Sequence, residues 1–134
     1  MQSDARVSRI GSEAVVGMEK SHRDRGIDYI EFNVADIGRS KDFYGKAFGW
    51  TFTDYGPDYC EFSDGHMKGG FSAGGPVTPG GPLVVLHGAD LTDVLGRIEG
   101  AGGRIVKPVF EFPGGRRFHF TDPDGYELAV WSES

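Results

Sequence analysis

The sequence predicts an α+β protein of two tandem βαβββ modules, which form a curved sheet with a concave cup inside and helices outside. Three observations predict it. Short runs alternate apolar and polar residues, as half-buried strands do. Two longer stretches, one per half of the chain, carry apolar residues along a helical stripe. Glycine is abundant, 22 of 134 residues, and its pairs at Gly69-Gly70, Gly74-Gly75, Gly80-Gly81, Gly102-Gly103 and Gly114-Gly115 punctuate many short elements.

Residues 1–25 are polar and mixed in charge and read as a flexible N-terminal extension, with Ala14-Val15-Val16 as its one strand-like run. Residues 26–134 read as a single domain, with modules over about 27–73 and 82–132. The first module opens on a strand in which Ile30, Phe32 and Val34 alternate with Tyr29, Glu31 and Asn33. Asp36 then starts a helix bearing Ile37, Phe43, Tyr44, Ala47 and Phe48, which Gly49 closes. Strands are expected at Trp50–Thr53, Tyr59–Ser63 and Lys68–Phe71, with Ser63-Asp64-Gly65 as a turn and residues 74–82 as a linker.

The second module repeats this programme. A strand at Leu83–His87 leads to a helix capped by Asp90 or Thr92, carrying Leu91, Val94, Leu95, Ile98 and Ala101. Strands follow at Arg104–Lys107, Arg117–Thr121 and Glu127–Trp131, the last two joined by the turn Asp122-Pro123-Asp124-Gly125. Ala35-Asp36-Ile37 and Ala89-Asp90-Leu91, Ala47 and Ala101, and Gly49 and Gly103 all lie 54 positions apart. With the shared element order, this constant offset points to an internal duplication.

Composition narrows the function. The net charge of −6 argues against a nucleic-acid partner, and no apolar run approaches the roughly 20 residues of a membrane helix. The single cysteine, Cys60, fits a reducing cytoplasm and reads as a buried small hydrophobe.

Val34-Ala35-Asp36, Asp42-Phe43-Tyr44 and Phe48-Gly49-Trp50, followed by Ala101-Gly102-Gly103 and Phe120-Thr121-Asp122-Pro123-Asp124-Gly125, resemble the glyoxalase / bleomycin-resistance / extradiol-dioxygenase (vicinal oxygen chelate) superfamily. The resemblance implies paired βαβββ modules, frequent dimers and a ligand site in the cup. In the family's metal enzymes the ligands come from the first and last strands of each module. Here those positions hold Tyr29, Leu83, Ala129 and the donor-poor run 68–72. Leu and Ala have no donor atom and a phenol is a poor ligand, so the inherited metal site is expected to be absent.

Strand alternation offers other candidates. Tyr29, Glu31 and Asn33 share a face, as do Val85 and His87, and Glu127, Ala129 and Trp131. Tyr29, Glu31, Asn33, His87, Glu127 and Trp131 are the expected ligand-binding residues, with Glu31 and Glu127 as candidate general bases. Glu31, His87 and Glu127 together are a conceivable replacement metal site, although no cofactor is expected. Arg117 and His119 share a face of the penultimate strand. Arg117 reads either as a partner for an anionic ligand group or as a solvent-side residue near Glu111 or Asp122.

Together with these residues, the resemblance implies a glyoxalase/bleomycin-resistance-like homodimer, expected in the cytoplasm and binding a small, partly apolar molecule without a metal. The alternative is a lyase or isomerase, less plausibly a dioxygenase, that uses Glu31 or Glu127 to remove a proton, with or without a rebuilt metal site. A domain with no ligand is the third and weakest reading.

Overall fold

A computed structural model describes His22 and residues 24–134; Ala14-Val15-Val16 and almost all of the N-terminal extension lie outside the described residues. The element order is β1 (Tyr29–Asn33), α1 (Ile37–Phe48), β2 (Thr51–Asp54), β3 (Tyr59–Ser63), β4 (Lys68–Ser72), β5 (Val84–His87), α2 (Leu91–Gly100), β6 (Arg104–Phe112), β7 (Gly115–Thr121) and β8 (Glu127–Ser132). This is βαβββ twice, as expected.

Local chemistry sets the helix ends. The side chains of Asp36 and Asp90 accept from the backbone N–H groups of Arg39 and Asp93, which would otherwise lack partners in the first turn. Gly49 terminates α1 at φ 74°, a left-handed conformation that a Cβ disfavours.

The strands form two sheets, ordered β1-β4-β3-β2 and β5-β8-β7-β6. In each, the first strand runs parallel to the last and the other neighbours are antiparallel. The single curved sheet expected from the sequence is therefore interrupted. Its two halves meet at the edge strands β1 and β5, which flank a cavity of about 490 Å³ instead of sharing a ladder. Ile30 and Phe32 from one edge and Val84 and Leu86 from the other line that gap.

β6 is longer than expected because it continues through Pro108 to Phe112. The ladder to β7 absorbs the proline through two register shifts, between Ile105 and Lys107 and between Lys107 and Phe110.

One core serves both modules. Phe32, Phe62, Phe71, Leu128, Val130, Phe118 and Phe120 enter it from the strands, and Phe43, Tyr44, Ala47, Leu91 and Ile98 from the helices. Phe43 of α1 reaches Phe120 of the other module at 6.2 Å between ring centroids. Burial of large aromatic surface is the main favourable term here.

The Asp122–Gly125 turn does more than connect two strands. The Asp124 carboxylate, 1% exposed, accepts from Ala35 N at 3.1 Å and from the Arg39 guanidinium at 2.6 Å. Asp122 accepts from the Tyr44 hydroxyl at 2.8 Å, and the Tyr126 hydroxyl donates to the Asn33 carbonyl at 2.8 Å. Burial raises the Asp122 carboxyl above its usual range, and raises the Tyr44 phenol well above its own. This turn clasps the second module onto the first.

Candidate functional site

Every strand residue in the core has one parity. The other parity therefore lies on two outward faces, one per sheet, and the candidate residues divide between them. Tyr29, Glu31 and Asn33 belong to the N-terminal sheet; His87, Glu127 and Trp131 belong to the C-terminal one. No hydrogen bond, ion pair or ring contact among the described residues joins the two sets.

On the N-terminal face, Tyr59 of β3 reaches across β4 to β1. Its hydroxyl donates to Glu31 Oε1 at 2.9 Å and lies 2.7 Å from the Tyr29 hydroxyl. Gly70, between these strands, makes the meeting possible, since a Cβ there would collide with the Tyr59 hydroxyl. Burial, with the hydrogen bonds to Tyr29 and Glu31 adding to it, pushes the Tyr59 phenol far above its ordinary value. Lys68 and Glu61 pair beside them at 3.5 Å. This face satisfies itself.

The C-terminal face is built differently. In the β7–β8 ladder His119 stands opposite Ala129 and Arg117 opposite Trp131. The small Ala129 leaves room for the imidazole, which is 3% exposed. His119 Nδ1 lies 2.7 Å from Glu127 Oε2. A carboxylate only accepts, so Nδ1 carries the hydrogen, and in the neutral ring Nε2 presents its lone pair. Nε2 has no partner, and neither does Arg117 Nε. A buried polar atom left without a hydrogen bond costs about 1–3 kcal/mol, so two neighbouring orphans on one strand call for an explanation.

Arg117 pairs with neither Glu111 nor Asp122. Its guanidinium lies over the Phe110 and Phe112 rings, 5.4 and 5.7 Å from their centroids. The aromatic wall continues from Phe112 to Trp131 at 6.3 Å and from Trp131 to His87 at 5.1 Å. His87 in turn lies 2.7 Å from Glu133, which holds that carboxyl below its usual value, and His87 also lines the cavity between β1 and β5.

The two candidate bases are thus both engaged, Glu31 by Tyr59 and Glu127 by His119. The conceived replacement metal set is not gathered within the chain: Glu31, His87 and Glu127 each hold a different neighbour. The inherited ligand positions do not fit a metal either. Tyr29 is committed to Tyr59, Ala129 offers a methyl group, Gly70 has no side chain, and Leu83 has no donor. Among the described residues no group of three or more His, Cys, Asp or Glu side chains is placed to hold an ion.

Sequence reasoning left out Tyr59, Phe110 and Phe112 as site residues and did not couple His119 to Glu127. A signal for the last pair was present. The Asp122–Gly125 turn fixes Thr121 opposite Glu127, which puts His119 on the same face, diagonal to that glutamate. Cys60 is fully buried, and burial raises its thiol above the usual value, consistent with a packing role.

Two βαβββ modules packed on one shared core, each with an outward sheet face, define the architecture. Residues 26–130 match the family model of the Glyoxalase/Bleomycin resistance protein/Dioxygenase superfamily, and the chain belongs to it. It is 32% identical over 124 residues to the anthracycline biosynthesis protein DnrV of Streptomyces peucetius, the match covering 77% of this chain and 45% of that protein. The chain therefore spans about half the length of this relative. Its fold is similar to that of a glyoxalase-related enzyme from Fulvimarina pelagi, with TM-score 0.69 and 23% identity over 81% of this chain and 88% of that one. The fosfomycin resistance protein FosX from Mesorhizobium loti is also similar, with TM-score 0.69 and 17% identity over 81% and 92%.

Proposed function

We propose that this protein binds a small, partly apolar molecule, without a resident metal, in the cavity between β1 and β5 and along the adjoining C-terminal face. The cavity carries the reading. Its volume of about 490 Å³ falls within the roughly 300–1,000 Å³ typical of ligand pockets. Its walls include Phe32, Trp50, Phe62 and Leu86, with His87 among its polar lining groups. His87 then leads by ring contact to Trp131. An apolar interior with few polar groups suits a flat, ring-bearing molecule.

The relative named for anthracycline biosynthesis supports a polycyclic ligand of antibiotic type. Two copies of the chain pair in this reading, the second burying exposed apolar side chains of the outward faces while the ligand surface stays accessible. The exposed apolar side chains of Tyr29, Val85, Val106 and Val109 suit such burial. A buried lone cysteine fits the reducing cytoplasm. No observation favours Glu31 or Glu127 as a free base, since both carboxylates already accept from neighbours.

Thermal denaturation in the presence of tetracyclic quinones tests the proposal. A ligand at 100 times its Kd stabilises the native state by about 2.7 kcal/mol, which raises the melting temperature of a domain this size by several degrees. Leu86→Trp, which fills the cavity, is expected to abolish that rise. If no quinone shifts the transition, or if Leu86→Trp binds as tightly as the wild type, the cavity reading fails.

A further inference from the structure

We propose that His119, held by Glu127, is a proton-accepting site for a ligand hydroxyl, and that Arg117 receives the resulting negative charge. The inference rests on the small-molecule reading and deepens it by naming the ligand chemistry: an acidic hydroxyl, phenolic or enolic, on a flat ring.

Three observations on the C-terminal face carry it. First, the Glu127–His119 hydrogen bond fixes the tautomer, so the neutral imidazole offers Nε2 as an acceptor and Glu127 stabilises the ring once it is charged. Second, both orphaned atoms, His119 Nε2 and Arg117 Nε, are buried and belong to residues two apart on the same face of β7. Residues two apart on a strand lie about 7 Å apart along the backbone and project to the same side, so one ring-bearing ligand can meet both. Third, Arg117 has no carboxylate partner among the described residues. It is held only over Phe110 and Phe112, whose rings also offer stacking surface.

In the step, the ligand O–H bond breaks and an Nε2–H bond forms. The electron pair stays on the oxygen, which pairs with the Arg117 guanidinium, while the imidazolium pairs with Glu127. No oxidant, reductant or metal takes part. Phe110 packs beside the imidazole, its ring centroid 5.9 Å from that of His119. It follows the bulged stretch of β6, where the ladder is already interrupted. In this arrangement Glu127 is a positioning residue, and His119 is the group that touches the reacting atom.

The experiment titrates the full chain with 2-hydroxyanthraquinone, whose hydroxyl changes colour on ionisation, and with its 2-methoxy analogue, at a pH where the free hydroxyl stays protonated. The hydroxyl compound is expected to bind about tenfold tighter or better, one hydrogen bond to a charged group, and to show the ionised spectrum when bound. His119→Gln is expected to remove both the preference for the hydroxyl compound and the spectral change. Arg117→Leu is expected to reduce the ionised fraction. A ligand-independent readout covers variants that fold poorly: imidazole ¹⁵N shifts of the wild type should show Nδ1 protonated and Nε2 bare.

Equal binding of the two compounds with an un-ionised bound spectrum would overturn the inference and leave the small-molecule reading standing. Protonation of Nε2 in place of Nδ1 would overturn it too, as would a single trapped water that neither compound displaces. Failure of both compounds to bind at saturation would bring down the small-molecule reading for such rings, and this inference with it.

Discussion

The two outward faces come from the same module plan and the same strand order, yet their polar groups meet opposite fates. On the N-terminal face Tyr29, Tyr59 and Glu31 close a chain of hydrogen bonds, and Lys68 meets Glu61. On the C-terminal face His119 and Arg117 each keep a buried nitrogen without a partner, among the rings of Phe110, Phe112 and Trp131. The difference lies in what crosses the centre of each sheet. Tyr59 spans the space over Gly70 and satisfies β1 from within the chain, whereas Ala129 gives His119 room but nothing to bond. A duplicated scaffold can thus satisfy the polar groups of one face from within the chain and leave buried nitrogens of the other without a partner.

The comparison breaks most decisively if the modules prove separable. Phe120→Ala removes an aromatic ring that touches both Phe43 and Phe48 of the other module, and is expected to cost about 3–5 kcal/mol. Chemical denaturation should still show one transition; two would mean that the modules fold independently. Next in size is Asp124→Asn, which weakens the clasp to Arg39 and Ala35 and is expected to cost about 1.5–3 kcal/mol, the range for hydrogen bonds to charged groups. A loss under about 0.5 kcal/mol in urea melts would show that the turn is only a connector.

Tyr59→Phe tests the claim that the N-terminal face satisfies itself. Its expected cost is about 1 kcal/mol per lost hydrogen bond, with no change in quinone binding; a binding change would move the ligand surface to that face. The same residue has a pH signature. Its phenol is raised in the folded state, so the stability that it contributes is present below the unfolded tyrosine value of about 10 and is lost as pH rises beyond it. The wild type should therefore lose stability in alkali more steeply than Tyr59→Phe. Smallest of all is the Lys41–Asp54 pair at 3.0 Å, where the lysine holds the carboxyl below its usual value. That contribution is present above the unfolded carboxyl value, about 4, and fades as pH falls through the lowered one. Because the pair is exposed, the effect should vanish in high salt.

Much of the scaffold was legible in the chain. Asp36, Asp90 and Gly49 announce the helix ends, the alternation through Ile30, Phe32 and Val34 announces β1, and Asp122-Pro123-Asp124-Gly125 announces the last hairpin. These signals are local, because caps and turns are settled by residues within a few positions of each other. β6 was read too short because Pro108 normally ends a strand, and only pairing with β7 shows that bulges carry the chain past it. The cup positions were legible as residue types but not as a site. Alternation says which side chains share a face of one strand, and is silent on which face of another sheet they meet.

From sequence alone come the doubled module, the parity of each strand, the family and the want of good metal ligands at Tyr29, Leu83 and Ala129. Only the tertiary structure decided that Asp124 docks on α1, that Tyr59 takes up Glu31, and that Glu127 belongs to His119. Each of those pairings joins residues brought together by cross-strand register or by module packing. Hydrogen bonds extend only about 3 Å, so which polar groups are met and which are left waiting is settled by how distant segments come to rest against one another.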